Sequence, residues 1–268
     1  MANNIERNIP AAEPLLSRIL YADDACVVVN KLSGEAVEGA GQGMIDLPKE
    51  LAAVLPAAST IEKTESLTLP AAAHRLDVPV TGCVIFAWTK SALTLLGAAF
   101  ANEGRRPPNA APAVEKRYWA ITEATAGGLS IPERGELVHW LCFDTQKNKS
   151  VAYNEQGPGR KKAVLRYRLV GRGTNYLFFE IELVTGRHHQ IRAQFAKAGL
   201  HVKGDLKYGA KRSEKNGGIR LHARSLSFPN PLKSGERITV QADPPLMDNL
   251  WEAFKEAANS SGAVAAGN

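Results

Sequence analysis

Through much of the second half of the chain, apolar and polar positions alternate with a period of two. Ala163, Leu165, Tyr167 and Leu169 alternate with mostly polar residues, as do Leu177, Phe179, Ile181 and Leu183. That is the pattern of an antiparallel sheet with one face buried. The segments EKRYWAITEA, from Glu115, and GELVHWLCF, from Gly135, predict two further strands, and LHARSLSF and RITVQA, joined by a turn over Pro229 to Gly235, predict two more. Near the N-terminus, RILYADDACVVVNK places Asp23 and Asp24 between two β-rich runs, which reads as a hairpin entering the core.

Helical periodicity is confined to a few places. A short helix is expected from Asp46 to Leu55. Thr89 is a plausible N-cap for a helix in which Ala92, Leu93, Leu95, Leu96, Ala99 and Phe100 recur with helical spacing. Another is expected to begin near Arg187 and end at Gly199, a natural C′ residue, and a last one covers Met247 to Ala258. Between these elements a Pro/Ala/Ser/Thr stretch after Leu55 reads as a loop. The prolines of NEGRRPPNAAPA, from Asn102, forbid a helix and leave a loop carrying Arg105 and Arg106. No repeat or linker interrupts the pattern. The expectation is one α+β domain over residues 19–258 with a mixed, mainly antiparallel central sheet flanked by helices and loops. Residues 1–18 would form a partly ordered lead and 259–268 a flexible tail.

Composition narrows the class only modestly. The chain has 268 residues, 44% hydrophobic and 22% charged, as is ordinary for a globular protein. Three widely spaced cysteines, Cys26, Cys83 and Cys142, signal neither a disulfide framework nor a zinc site and fit a reducing cytoplasm. No apolar run is long enough to span a bilayer, and the N-terminus lacks the layout of a signal peptide. The net charge of +6 is mild but unevenly spread. Lys147 to Arg172 holds eight Lys or Arg against the single acid Glu155, and Arg187 to Arg224 holds ten against Asp205 and Glu214. Such clustering suits a polyanion such as nucleic acid, or else a solvated basic surface without a partner.

The chemistry centres on HRLDVPVTG, His74 to Gly82, where Asp77 sits in an apolar setting. Desolvation would raise the pKa of such a carboxylate unless a cation offsets it, and Arg187 and Arg192 of TGRHHQIR are the obvious partners. An ordinary structural ion pair is the alternative. The Gly39-x-Gly41-x-Gly43 run follows its strand too late, and with the wrong spacing, to bind a dinucleotide. Serine elbows, phosphate-cradling loops and H-E-x-x-H are absent. On a helix, His188 and His189 would point about 100° apart and could not clasp one metal.

Taken together and in order, HRLDVPVTG, KRYWA, TGRHHQIR with VKGDLKYG, and LHARSLSFPNP resemble the motifs of the bacterial RluA-type RNA pseudouridine synthases, and ILYADDACVVVNKLSG is similar to that family's first strand pair. The resemblance covers Ile19 to Pro245. It implies that Asp77 is the catalytic aspartate, attacking a flipped-out uridine at the anomeric carbon or at carbon six. Tyr118 would be the tyrosine that stacks on the target base and accepts the carbon-five proton, and Arg192 the arginine that ion-pairs with the aspartate. Arg75 would hold the place vacated by the flipped nucleotide and Leu221 would line the base pocket, while Arg187 and His189 fall among the substrate contacts.

The implied protein needs no cofactor and no metal. It acts as a monomer on structured RNA, ribosomal or transfer, away from any membrane. Two departures mark a divergent subgroup: Val80 and Thr81 replace the family's usual Thr and Ser, and Leu32 stands where a proline is usual in the opening motif. The stretch before Ile19 is too short for the S4 RNA-binding domain of many relatives, so target choice is expected to rest on the catalytic domain. Two rivals are a non-catalytic RNA-binding descendant and a glycoside hydrolase, the latter needing a second acid that these motifs do not supply.

Overall fold

Asp23 turns the chain at the first hairpin: its carboxylate accepts hydrogen bonds from the backbone N–H groups of Ala25 and Cys26, each at 2.8 Å. The hairpin joins β1 (Ile19–Ala22) to β2 (Cys26–Lys31). In the computed structural model, which describes residues 14–41, 43–55, 65–101, 114–124 and 129–265, these strands begin a large mixed sheet. The next elements are β3 (Glu35–Ala36), β4 (Ile45–Asp46), α1 (Leu47–Val54), β5 (Ser66–Ala72), β6 (Thr81–Thr89) and α2 (Lys90–Ala101). They are followed by β7 (Glu115–Glu123), β8 (Arg134–Asp144), β9 (Lys149–Tyr153), β10 (Lys161–Arg172) and β11 (Tyr176–Leu183). The chain continues with α3 (Gln190–Lys197), β12 (Leu221–Pro229), β13 (Arg237–Gln241) and α4 (Asn249–Ala265).

The strand order is β1-β2-β6-β12-β7-β11-β10-β8-β9, with β13 added on β12 and β5 on β6. Among the described residues only the β6–β12 pair of this sheet is parallel, which makes it the mixed, mainly antiparallel sheet expected of an α+β fold. The small β3–β4 ladder is also parallel and stands apart. Both faces of the sheet are covered near its middle, so β6 is buried along nearly its whole length. On one face Leu76, Val80, Tyr118, Phe179, Ile191, Phe195 and Leu221 form the main core. On the other, α2 packs over β6 and α4 packs Trp251 and Phe254 against Trp119 and Phe178.

Most expected elements are present, and Thr89 does cap α2, accepting from the Ala92 N–H at 3.1 Å. Four differ. Strand β5 lies where a loop was expected; its Pro70 suits a strand beside an irregular register, since proline cannot serve a regular ladder. Strand β9, only five residues and lysine-led, is stabilised by pairing with β8 rather than by its own pattern. Helix α3 begins at Gln190, not near Arg187. Helix α4 continues to Ala265, seven residues past the expected end, so residues 259–265 are helical rather than frayed. The loop bearing Arg105 and Arg106 lies outside the described residues.

Candidate active site

The segment carrying Asp77 crosses from β5 to β6 and is pinned from beneath by Lys31. This lysine is fully buried, and its Nζ donates to the carbonyls of Leu32, Val78 and Val80 at 2.8, 2.9 and 2.8 Å. Burial drives its pKa down to about 7, against the upward pull of Glu35 and Asp77. Val80, one of the two departures in this motif, packs into the main core, and the hydroxyl of its neighbour Thr81 lies 2.8 Å from His222 Nδ1. Gly82 then enters β6 with φ +114°, where a side chain would collide with the backbone of Ala223 on β12.

Arg192, on the first turns of α3, organises the charges. Its Nη1 donates to Asp77 Oδ2 at 2.9 Å, while Nε and Nη2 grip Asp205 in a two-pronged pair at 2.6 and 2.8 Å. Both Arg192 and Asp205 are buried, whereas the Asp77 side chain keeps 22% of its surface open. Burial opposes the charge on Arg192, but the hydrogen bonds and charge of Asp205, reinforced by Asp77, outweigh it and raise the pKa above its ordinary value. The outcome is a fixed cation with one carboxylate buried behind it and one presented to the cleft.

The turn before α3 brings both histidines to this place. His189 has a left-handed backbone, φ 52°, and the side-chain oxygen of Gln190 accepts from the Arg187 N–H at 3.0 Å and from Thr185 Oγ1 at 2.8 Å. Because neither histidine is in the helix, their rings stack at 3.8 Å and 26° instead of splaying. His189 Nε2 lies 3.6 Å from Asp77 Oδ2, and Nδ1 lies 3.0 Å from the Tyr208 hydroxyl. Burial, with the Arg192 charge adding to it, pushes the His189 pKa down to about 2, so the ring is neutral at physiological pH. Donor atoms of Asp77, His188 and His189 fall within 4.8 Å of one another, a spacing that could hold a metal. The carboxylate oxygen nearest His189 already accepts from Arg192, so a cation there would sit against a guanidinium. The helix-based argument against a shared metal does not apply to this turn; the charge of Arg192 is the physical objection.

All seven residues singled out from the sequence, Arg75, Asp77, Tyr118, Arg187, His189, Arg192 and Leu221, line one cleft of about 580 Å³. Tyr118 and Leu221 are buried in its wall on the adjacent strands β7 and β12. Arg75 and Arg187 are exposed; Arg75 faces Glu38 loosely at 3.9 Å, and Arg187 donates through Nε to the Lys162 carbonyl at 3.1 Å. Four contributors went unassigned in the sequence. Asp205 and Tyr208 belong to VKGDLKYG, where an acid within a basic window was the available signal, and Lys116 shares a strand face with Tyr118 two residues on. His188 needed the turn geometry.

Much of the basic clustering is spent internally. Arg166 pairs with Glu136 and Glu182, Arg168 with Glu180 and Arg172 with Glu133. In the second window Lys203 and Arg220 share Glu214, and Arg224 pairs with Asp243.

Comparison with known proteins gives a consistent result. The family model described as RNA pseudouridylate synthase matches residues 25–197. The chain is 28% identical over 273 residues to RNA pseudouridine synthase 4, mitochondrial, of Arabidopsis thaliana, covering 87% of this chain and 55% of that protein. It is 28% identical over 246 residues to ribosomal large subunit pseudouridine synthase D of Zymomonas mobilis, covering 89% and 72%. Among solved structures, human RNA Pseudouridylate Synthase Domain Containing 4 superposes with a TM-score of 0.65 at 21% identity, over 91% of this chain and 94% of that one, which shows a shared fold.

Proposed function

The chain belongs to the RNA pseudouridylate synthase family of isomerases, in its RluA branch, and from that premise we propose that it converts uridines of ribosomal or transfer RNA to pseudouridine, with Asp77 as the catalytic carboxylate. One observation carries the reading: a cleft of nucleotide size holds Asp77, partly open, in an ion pair with a buried arginine, with an aromatic wall from Tyr118 and an apolar one from Leu221. A base stacked in a helix cannot be rotated, so the target must be extruded, at a cost of a few kcal/mol. Stacking on an aromatic such as Tyr118 returns roughly 1–3 kcal/mol.

The carboxylate of Asp77 attacks the anomeric carbon or carbon six, and the bond between the anomeric carbon and N1 breaks. The uracil turns, its carbon five bonds to the anomeric carbon, the bond to Asp77 breaks and frees the carboxylate, and the carbon-five proton leaves, with Tyr118 as acceptor, while N1 takes up a proton. Arg75 fills the vacated place and Arg187 and His189 contact the substrate. Every group these steps require is a side chain of this chain, so the mechanism invokes no cofactor and no metal. The same proposal takes residues 19–258 as one catalytic unit, monomeric and cytoplasmic. Among the described residues no helix is long and apolar enough to cross a membrane.

The test is release of tritium from carbon five of uracil in unmodified ribosomal and transfer RNA transcripts. Wild-type protein should release it and Asp77→Ala should not, while still binding RNA. Equal release from both would reject Asp77, and RNA binding without release by the wild type would favour a binding-only descendant of the fold.

A further inference from the structure

Beside the cleft, the end of β8 presents an aromatic ring to solvent. Phe143, opposite Ser150 in that ladder, is 44% exposed. A lone exposed aromatic is unremarkable. This one is not alone: its ring meets His188 edge-on at 4.4 Å, His188 stacks on His189 at 3.8 Å, and His189 lies 3.6 Å from the Asp77 carboxylate. The line of rings is braced from below. Ser150 Oγ donates to the His188 carbonyl at 2.6 Å, and the Ser150 N–H donates to the Tyr208 hydroxyl at 2.9 Å. Beside it lie two amines, Lys149 Nζ at 4.6 Å from the Tyr208 ring and Lys207 Nζ bonded to the Asn148 carbonyl at 3.1 Å.

We propose that Phe143 and His188 form a second stacking subsite, which takes an unpaired base next to the target uridine while Lys149 and Lys207 face its phosphates. An apolar ring in contact with the cleft residue His188, with amines on the neighbouring Tyr208 and Asn148, matches what an unpaired nucleotide offers, a flat base on an anionic backbone. A duplex cannot use it, because its bases present no free face. The subsite therefore selects RNA in which the nucleotide beside the target is also unstacked. This inference rests on the reading of the chain as an RNA pseudouridine synthase.

The experiment compares wild type, Phe143→Ala and Phe143→Trp in two assays, after thermal unfolding has shown the three equally folded. The first is binding of a fluorescent single-stranded oligouridylate; the second is KM and kcat for tritium release from the transcript that the wild type modifies. Phe143→Ala should weaken binding and raise KM by roughly 5- to 150-fold, the span expected for losing one base–aromatic stack, with the loss falling on KM rather than kcat, and Phe143→Trp should restore both. Affinity and KM unchanged in Phe143→Ala would overturn the subsite. Phe143-dependent binding by a wild type that releases no tritium would keep the subsite and overturn the synthase reading instead.

Discussion

Arg192 holds two carboxylates with one guanidinium, and the division between them is unequal. Asp205 takes two hydrogen bonds out of solvent, and Asp77 takes one at the edge of the cleft. Asp205 therefore acts through Arg192, fixing the plane of the guanidinium so that Nη1 points at Asp77. Removing one partner of a buried ion pair leaves the other uncompensated, at about 3–5 kcal/mol. Asp205→Ala is expected to lower stability by that order, measured by denaturant unfolding. Asp205→Asn, which keeps the shape without the charge, is expected to cost less stability yet still lower kcat for tritium release. An Asp205→Asn protein with unchanged kcat would show that Asp205 only supports the fold.

At the level of elements, two junctions decide whether the cleft forms. The first is the start of β6, where Gly82 passes so close to β12 that a Cβ would stand 2.3 Å from the Ala223 carbonyl oxygen, at a φ that side chains rarely adopt. Gly82→Ala must therefore push the two strands apart, and both Asp77 and Leu221 sit beside that seam. We expect a loss of about 3 kcal/mol or more, seen as a fall in Tm of roughly 6 °C or more, together with reduced activity. The second is the turn before α3. A sequence reading begins that helix near Arg187, because the apolar spacing of IRAQF is helical and nothing in RHHQ breaks it. The Gln190 side chain and the left-handed His189 delay the helix by three residues, and that delay stacks the histidines against Asp77. Histidine enters the left-handed region more readily than most side chains, but nothing local tells which of His188 and His189 does so.

Across the whole molecule, buried neutral histidines link stability to acidity. His189 and His222 are both buried, with pKa values pushed down by burial to about 2 and about 4 from an ordinary 6.5. Unfolded chains bind protons at these sites at a higher pH than the folded protein does. Their contribution is present in full above about pH 6.5, and falls as pH drops through the window down to those folded values, at roughly 1 kcal/mol per pH unit for each ring. Denaturant unfolding between pH 7 and 4.5 should show stability declining with acidity, and His222→Asn should flatten part of that slope. A pH-independent stability over this range would contradict the burial of these rings.

What the sequence determined by itself was whatever is written in local pattern and ordered motifs. Period-two alternation determined the antiparallel strands, Thr89 and the following apolar spacing determined α2, and the order of HRLD, KRYWA, TGRHHQIR and LHARSLSF determined the family and the seven residues that share the cleft. Tertiary structure alone decided what depends on distant partners. Strand β9 exists because β8 offers it a ladder, and β5, despite Pro70, because β6 does. Arg166 and Arg168 prove to be paired across strands, since register rather than sequence distance sets which charges meet. Asp205 reaches Arg192, and Phe143 reaches His188, across separations that no local pattern encodes. Contacts of that kind are fixed only when the sheet closes and excludes water from the groups it brings together.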